Sequence, residues 1–267
     1  MGRRMGIFSH MLRAVIMACG LAASMATAAL AAARPEPAAA FSPSADPAEP
    51  FGLATAAVAT GAVNEKWQQL KRKLDDERVQ LALCDGDRDN CVSDAALRFL
   101  DIVDSGRRRD GRARLGEINR AINLALRPMS DFAQYGEVDV WTSPLVTFAH
   151  GAGDCEDYAI AKLMALSLAG IAAEDLRLII MRDIFHGGDH AVAAVRFDGR
   201  WLMLDNLRMA MVEDVHVKNY RPLFAIDQSS VVQYLEVPLL ASTTSASPAA
   251  TTPTELPTEP GLVAVSE

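Results

Sequence analysis

The sequence lacks several features on which large classes of protein depend. Its 267 residues carry 26 Lys and Arg against 34 Asp and Glu, so there is no basic excess that would attract nucleic acid. Beyond the first 33 residues no uninterrupted apolar run reaches about 18 residues, which argues against a polytopic membrane protein. Only four cysteines are present, so the role of each can be considered in turn.

The N-terminus has the three parts of an export signal. Three arginines are followed by the apolar stretch Ala14 to Ala29, and Ala29-Leu30-Ala31 is a small-x-small cleavage site. A retained membrane anchor and a lipoprotein signal at Cys19 are the alternatives, but the apolar stretch is short and rich in alanine, which favours removal. We therefore expect residues 1–33 to be a signal peptide, whose loss changes the formal charge from −8 to −11.

Proline is concentrated in two flanks of the chain. Five of the thirteen prolines lie in residues 32–50 and four more lie in residues 241–267, among Ala, Ser and Thr. Such segments have little to bury and are typical of linkers and disordered tails. We expect a linker at 34–60, a tail at 241–267 and one domain at 61–240, which is long enough to close a hydrophobic core.

The cysteines that remain after cleavage are Cys84, Cys91 and Cys155, an odd number in an exported chain. A local disulfide could join Cys84 to Cys91 around a short polar loop. The alternating aspartates of that loop also resemble the start of an EF-hand, yet Asn90 and Ala96 stand where the hand needs Gly and Glu. Cys155 is then the unpaired thiol, and it is either buried and inert or reactive.

The order of secondary structure predicts an α+β fold, with helices first and antiparallel strands second. Helical spacing covers 64–83, 93–104, 115–127 and 154–168. Strand patterns cover 176–182, 190–197, 200–205 and 212–217.

Cys155 falls in the first turn of the fourth predicted helix. Asp154 is a plausible N-cap, and Asp157 three residues later resembles the second half of a capping box. Backbone N–H groups and the helix dipole stabilise a thiolate at such a position, which lowers the cysteine pKa. Cys155 is therefore a candidate nucleophile, although packing as a small core residue is the alternative.

A hairpin supplies the partners that such a nucleophile needs. Asp198-Gly199 predicts a two-residue turn, and its register places His190 opposite Leu207 and Asp205 opposite Val192. His190 and Asp205 then point to the same face of the sheet, close enough for their side chains to meet. A histidine oriented by a carboxylate can act as the base for a thiol.

Two metal sites are compatible with the spacing. His186 competes with His190 for the role of base, and the two could suggest zinc, but no further ligands accompany them. Asp154 and Glu156 flank Cys155, where their charges should raise its pKa. Acidic residues favour a helix N-terminus in any case, but a bound calcium ion would both use and neutralise these carboxylates.

Four motifs carry a resemblance to a known family. They are Trp141-Thr142-Ser143-Pro144, Gly151-Ala152-Gly153-Asp154-Cys155-Glu156-Asp157-Tyr158-Ala159-Ile160-Ala161-Lys162, Asp189-His190-Ala191-Val192 and Leu204-Asp205-Asn206. Together they resemble the bacterial transglutaminase-like cysteine proteinases, over about residues 64–235.

The resemblance implies a papain-like or transglutaminase-like core with Cys155 as nucleophile, His190 as general base and acid, and Asp205 as the orienting residue. It also implies that Asp154 and Glu156 help to bind calcium. Members of the LapG type are periplasmic, cut a large biofilm adhesin and are sequestered by an inner-membrane receptor for cyclic di-GMP. The implied partners are thus a protein substrate such as a surface adhesin, and such a receptor.

Three functions are compatible with these residues. The first is an exported, calcium-dependent cysteine endopeptidase with a Cys-His-Asp triad. The second is acyl transfer by the same triad, with an amine in place of water. The third is a calcium-dependent binding module whose cleft is catalytically silent.

Overall fold

A computed structural model describes residues 49–235 of the chain. The expected signal peptide (1–33) and tail (241–267) lie outside the described residues. Within 49–235, no helix is both long enough and apolar enough to cross a membrane.

Helices make up most of the first half of this region. They are α1 (Ala62–Gly86), α2 (Asp94–Arg107), α3 (Gly111–Ala125), α4 (Asp131–Tyr135), α5 (Pro144–His150) and α6 (Cys155–Leu168). The four long helices confirm the four helical patterns, with ends that differ by a few residues. The short helices α4 and α5 were not predicted, because one or two turns leave no periodic pattern to detect.

Strands make up most of the second half. They are β1 (Thr55–Ala57), β2 (Arg127–Pro128), β3 (Ala152–Gly153), β4 (Leu176–Asp183), β5 (Asp189–Phe197), β6 (Arg200–Leu204), β7 (Val212–Glu213), β8 (Tyr220–Ile226) and β9 (Val231–Tyr234). Seven of them form an antiparallel sheet in the order β1-β9-β8-β4-β5-β6-β7, and β2 and β3 form a small parallel pair. The α+β class is confirmed.

The β5–β6 hairpin has the predicted register. Phe197 pairs with Arg200, and the ladder continues to the pair Ala193 and Leu204. Asp198 and Gly199 at the turn have φ values of 51° and 74°. Positive φ at both central residues is the geometry that matches the twist of two-residue hairpins.

The prediction for the last strand pattern was wrong in its length. Strand β7 ends at Glu213, and a 3₁₀ turn over Asp214–His216 follows. Strands β8 and β9, which complete the sheet, were not predicted. Strand β8 carries a register shift against β4 near Met181 and contains Pro222, so its side chains do not alternate simply.

Part of the predicted linker belongs to the folded domain. Strand β1 pairs with β9, and Thr55 lies opposite Tyr234. Glu49 forms a buried, bidentate ion pair with Arg177 of β4, with N–O distances of 2.7 to 3.0 Å. The placement of all of 34–60 in a linker was therefore wrong for residues 49–57, because strand pairing and a buried charge pair hold them.

Helix α6 lies at the centre of the core. Ten of its fourteen residues are buried, as expected for a helix covered on nearly all sides by other helices and the sheet. At the edge of the helical layer, a disulfide joins Cys84 to Cys91, as predicted. Within 49–235, Cys155 is the one free cysteine.

Candidate active site

Cys155 is the first residue of α6 and is half-buried. The backbone before it is fixed by the pairing of β3 with β2, in which Ala152 lies opposite Arg127. This short pair, rather than a long strand, positions the cysteine at the end of a helix. The sequence prediction of a helix start at this point is confirmed.

The predicted capping box is absent, because the Asp157 side chain points elsewhere. Asp154 is the N-cap residue, but its side chain makes no capping hydrogen bond. Oδ1 of Asp157 instead accepts hydrogen bonds from the backbone N–H and the hydroxyl of Thr142, at 3.0 and 2.7 Å. Burial raises the pKa of Asp157 to about 6, although the bonds from Thr142 oppose the shift. Asp157 thus ties the loop before α5 to the first turn of α6.

Gly153 is required by this arrangement. A Cβ at Gly153 would lie 2.5 Å from Oδ2 and 2.7 Å from Cβ of Asp157. Any larger residue would overlap the Asp157 side chain and displace the first turn of α6 from the backbone before it. This packing explains why a glycine stands two residues before Cys155.

His190 and Asp205 meet as the hairpin register predicted. Nε2 of His190 lies 2.9 Å from Oδ1 of Asp205, and both side chains are buried. The His190 ring also stacks on Tyr220 of β8, with centroids 5.3 Å apart. Burial disfavours the charged form of Asp205, but hydrogen bonds from His190 and from the Leu207 N–H outweigh it and lower its pKa. The carboxylate is therefore ionised and holds the imidazole in one orientation.

Cys155 and His190 line the same cleft. The opposite wall includes Trp141, whose Nε1 donates to Asp139 at 2.9 Å, and Lys66 of α1, which forms an ion pair with Asp139. Trp141, the first residue of the first motif, lies at the cleft. The site therefore combines residues from α1, α6 and β5, the residue that follows β6, and the loop before α5.

The other two histidines near the motifs lie apart from this cleft. His186 is exposed and pairs with Asp183 at 3.0 Å within its own loop. His150 ends α5 and contacts Gln134 and Tyr135. Among the described residues, no zinc-like group forms around His186.

The pKa of Cys155 is raised, as expected from the flanking carboxylates and against the lowering expected from the helix terminus. Burial is the largest cause, and the negative charge of Glu156 is the next. The thiol donates a hydrogen bond to Oε2 of Glu156 at 3.2 Å. A hydrogen bond from the Ala191 backbone N–H lowers the pKa but does not compensate. The helix terminus is thus outweighed by a neighbouring carboxylate.

Three carboxylates form a cluster beside Cys155. Ligand oxygens of Asp131, Asp154 and Glu156 all lie within 4.8 Å of one another. Burial raises the pKa of all three, and the charge of Glu156 adds to the shift of Asp154, whose pKa is about 8. Among residues 49–235, buried Oδ1 of Asp154 finds no hydrogen-bond partner. An all-oxygen set of this kind suits a hard divalent cation.

Sequence analysis missed Asp131 as a member of this cluster. It lies in the one-turn helix α4, more than twenty residues before Cys155, so no spacing rule connects the two. Its carboxylate also accepts a hydrogen bond from the Val140 backbone N–H. Tyr220, which stacks on His190, was missed because strand β8 was not predicted.

Comparisons with known proteins give a sequence-family match. The model of the family described as bacterial transglutaminase-like cysteine proteinase matches residues 80–237. No curated protein matches the sequence.

Solved structures of LapG from Legionella pneumophila resemble the fold. One is 20% identical with a TM-score of 0.48, and the match covers 58% of this chain and 86% of that chain. Another, described as calcium-bound, is 21% identical with a TM-score of 0.47, and the match covers 66% of this chain and 91% of that chain.

Proposed function

The chain belongs to the bacterial transglutaminase-like cysteine proteinases, and from this premise we propose that it is an exported, calcium-dependent cysteine endopeptidase with Cys155, His190 and Asp205 as its triad. The observation that carries the proposal is the buried contact between His190 and Asp205 in the cleft that Cys155 lines. A thiol near a carboxylate-held imidazole is what nucleophilic acyl chemistry needs.

The geometry assigns a role to each ring nitrogen of His190. Because Nε2 donates its proton to Asp205, Nδ1 is the nitrogen left to take the proton of the Cys155 thiol. The sulfur then bonds to the scissile carbonyl carbon, and the imidazolium returns the proton to the amine as it leaves. Water, deprotonated by the same nitrogen, breaks the thioester and restores the thiol.

We propose that calcium is held by Asp154 and Glu156, as the sequence suggested, together with Asp131. The support is the proximity of the three carboxylates and the unpartnered, buried oxygen of Asp154. When bound, the ion would supply positive charge beside a thiol that Glu156 otherwise disfavours as a thiolate. Asp131 also accepts a hydrogen bond from the Val140 backbone N–H, so the same residue would bind the ion and hold the loop that forms one wall of the cleft.

The substrate, regulator and location follow from the family resemblance of the motifs and from the N-terminal pattern. We propose a large surface adhesin as the protein substrate, an inner-membrane receptor for cyclic di-GMP as the regulator, and the periplasm as the location. The export signal at 1–33 supports the location. Mass spectrometry of the N-terminus of protein recovered from the periplasmic fraction tests it: a chain that still begins at Met1 would contradict export with cleavage.

The activity is tested by incubating the mature protein with candidate secreted adhesins, with either calcium or a chelator. We expect cleavage with calcium, and none by Cys155→Ala. Asp183→Asn, which alters the exposed pair with His186, is the matched control and should cleave normally. Cleavage by Cys155→Ala would overturn the nucleophile assignment.

Products in which an added amine replaces water would identify an acyl transferase instead. Cleavage indifferent to the chelator, after metal-free preparation, would remove the calcium role.

A further inference from the structure

Lys162 is a buried amine that the proposed chemistry does not use. It lies in α6, its side chain has no exposure to solvent, and Nζ donates a hydrogen bond to the backbone oxygen of Leu204 at 3.1 Å. Nζ also lies 5.9 Å from the centre of the Tyr158 ring. Burial of an ammonium group costs several kcal/mol even when it is partly compensated. A leucine or methionine would fill the same space without this desolvation cost, so the presence of a lysine here requires an explanation.

The hydrogen bond from Lys162 reaches Leu204, the last residue of β6 that pairs with β5. The β5–β6 ladder ends at the pair Ala193 and Leu204, so the next residue, Asp205, has no partner strand to fix its backbone. Side-chain donors take over this role. Lys162 holds the oxygen of Leu204, and Asn123 of α3 donates to the oxygen of Asp205 at 2.9 Å.

Lys162 also shares a helix with the nucleophile. Seven residues separate it from Cys155, which is close to two turns, so both side chains lie on about the same face of α6, roughly 10 Å apart along its axis. Helix α6 thus carries the thiol at one end. Two turns later it carries Lys162, which donates a hydrogen bond to Leu204, the residue before Asp205.

We infer that Lys162 is a positioning residue: by holding the Leu204 oxygen it fixes Asp205, and through Asp205 the imidazole of His190, relative to Cys155. The effect of Lys162 on catalysis rests on the proposed function. The contact between His190 and Asp205, in contrast, can be measured without a substrate. A small displacement at a reacting group can cost roughly 10²-fold in rate, so the position tolerates little freedom.

The test compares the mature full-length protein with Lys162→Met, which has a similar shape and no donor. The first readout is the proton NMR signal of the imidazole N–H that His190 donates to Asp205, assigned by its absence in His190→Gln. We expect the signal to be lost or broadened in Lys162→Met. It should be unchanged in Leu166→Ala, which removes buried volume from the same helix without a polar contact.

The second readout is the rate at which iodoacetamide alkylates Cys155. We expect a fall of about tenfold in Lys162→Met, since the thiolate is the reactive form, and no comparable fall in Leu166→Ala. If Lys162→Met does not fold, Lys162→Gln, whose amide is one atom too short to reach Leu204, is measured in its place. An intact N–H signal with an unchanged alkylation rate in a folded variant would overturn the inference. Wild-type protein that shows the signal but cleaves nothing would instead count against the proposed function.

Discussion

His190 depends on two neighbours, Asp205 and Tyr220, which hold its ring by a hydrogen bond and by stacking. Removing the charge of Asp205 should therefore leave the fold in place and disturb the chemistry. For Asp205→Asn we expect the cleavage rate to fall by roughly 10²- to 10⁴-fold, the usual contribution of an oriented general base.

The measurement is the cleavage rate beside a calcium titration of the same preparation. Asp205 is not among the clustered carboxylates, so calcium affinity should stay unchanged. A variant that cleaves at the wild-type rate would show that Asp205 does not orient the base.

Lys162 makes stability depend on pH in a defined direction. Burial lowers its pKa from 10.5 to about 7, although the charge of Asp205 opposes the shift. Between these values the unfolded chain binds a proton at this site that the folded chain does not, so the free energy of unfolding rises with pH. Tyr158 is the other titratable group near Nζ, and it stays neutral in this range because burial raises its pKa to about 12.

We therefore expect the free energy of unfolding of the wild type to rise relative to that of Lys162→Met as pH rises from 7 towards 10.5. Urea unfolding at a series of pH values measures the difference. A difference that does not change with pH would mean that Lys162 stays protonated in the folded protein.

At the level of structural elements, the start of α6 depends on the absence of a side chain at Gly153. A Cβ there would overlap the Asp157 side chain, and overpacking of this kind typically costs about 1–3 kcal/mol. Gly153→Ala should lower stability by that amount and reduce activity as well. Gly86→Ala is the matched control, since a Cβ at Gly86 meets nothing within 4 Å. Equal melting temperatures for the two variants would contradict the steric argument.

The disulfide closes the loop between α1 and α2. Because the two cysteines are seven positions apart, the loss of chain entropy predicts a stabilisation of about 2–3 kcal/mol. Cys84→Ser/Cys91→Ser should be less stable by this amount in denaturant titrations. Its cleavage rate under folding conditions should match the wild type, because neither cysteine lines the cleft. A loss of activity without a loss of stability would point to a role beyond cross-linking.

Elements with local signals were predictable, and those defined by tertiary contacts were not. The Asp198-Gly199 turn determines the hairpin register by itself, so the contact of His190 with Asp205 could be deduced before the structure. Asp131 joins the cluster only because α4 packs beside α6, and no pattern in the sequence reports that packing. The net direction of the Cys155 pKa could not be predicted for a related reason: the helix terminus and Glu156 act in opposite directions, and their balance depends on burial, which spacing does not reveal.

At the scale of the whole molecule, three carboxylates within 4.8 Å of one another, of which Asp131 and Glu156 are buried, are an electrostatic burden on the fold. An ion that binds only the folded state stabilises it, by about 2.7 kcal/mol at a hundred times its dissociation constant. We expect calcium to raise the melting temperature and magnesium to do so less, because magnesium requires a more rigid octahedral set of ligands.

Differential scanning calorimetry with calcium, magnesium or a chelator tests this expectation. Asp154→Asn should remove the calcium effect, and Asp75→Asn, at an exposed position of α1, should retain it. A calcium-induced rise of equal size in both variants would place the ion elsewhere.

The pairing of β1 with β9 has a mechanical consequence. Thr55, near the start of the described chain, lies opposite Tyr234, near its end. Both flanks therefore leave the sheet from one corner. Tension applied between them would load the β1–β9 hydrogen bonds one pair at a time, as in opening a zip, rather than all together in shear. Once the ion pair of Glu49 with Arg177 breaks, strand β1 would detach, and the cleft, whose walls lie elsewhere in the chain, would be spared until later.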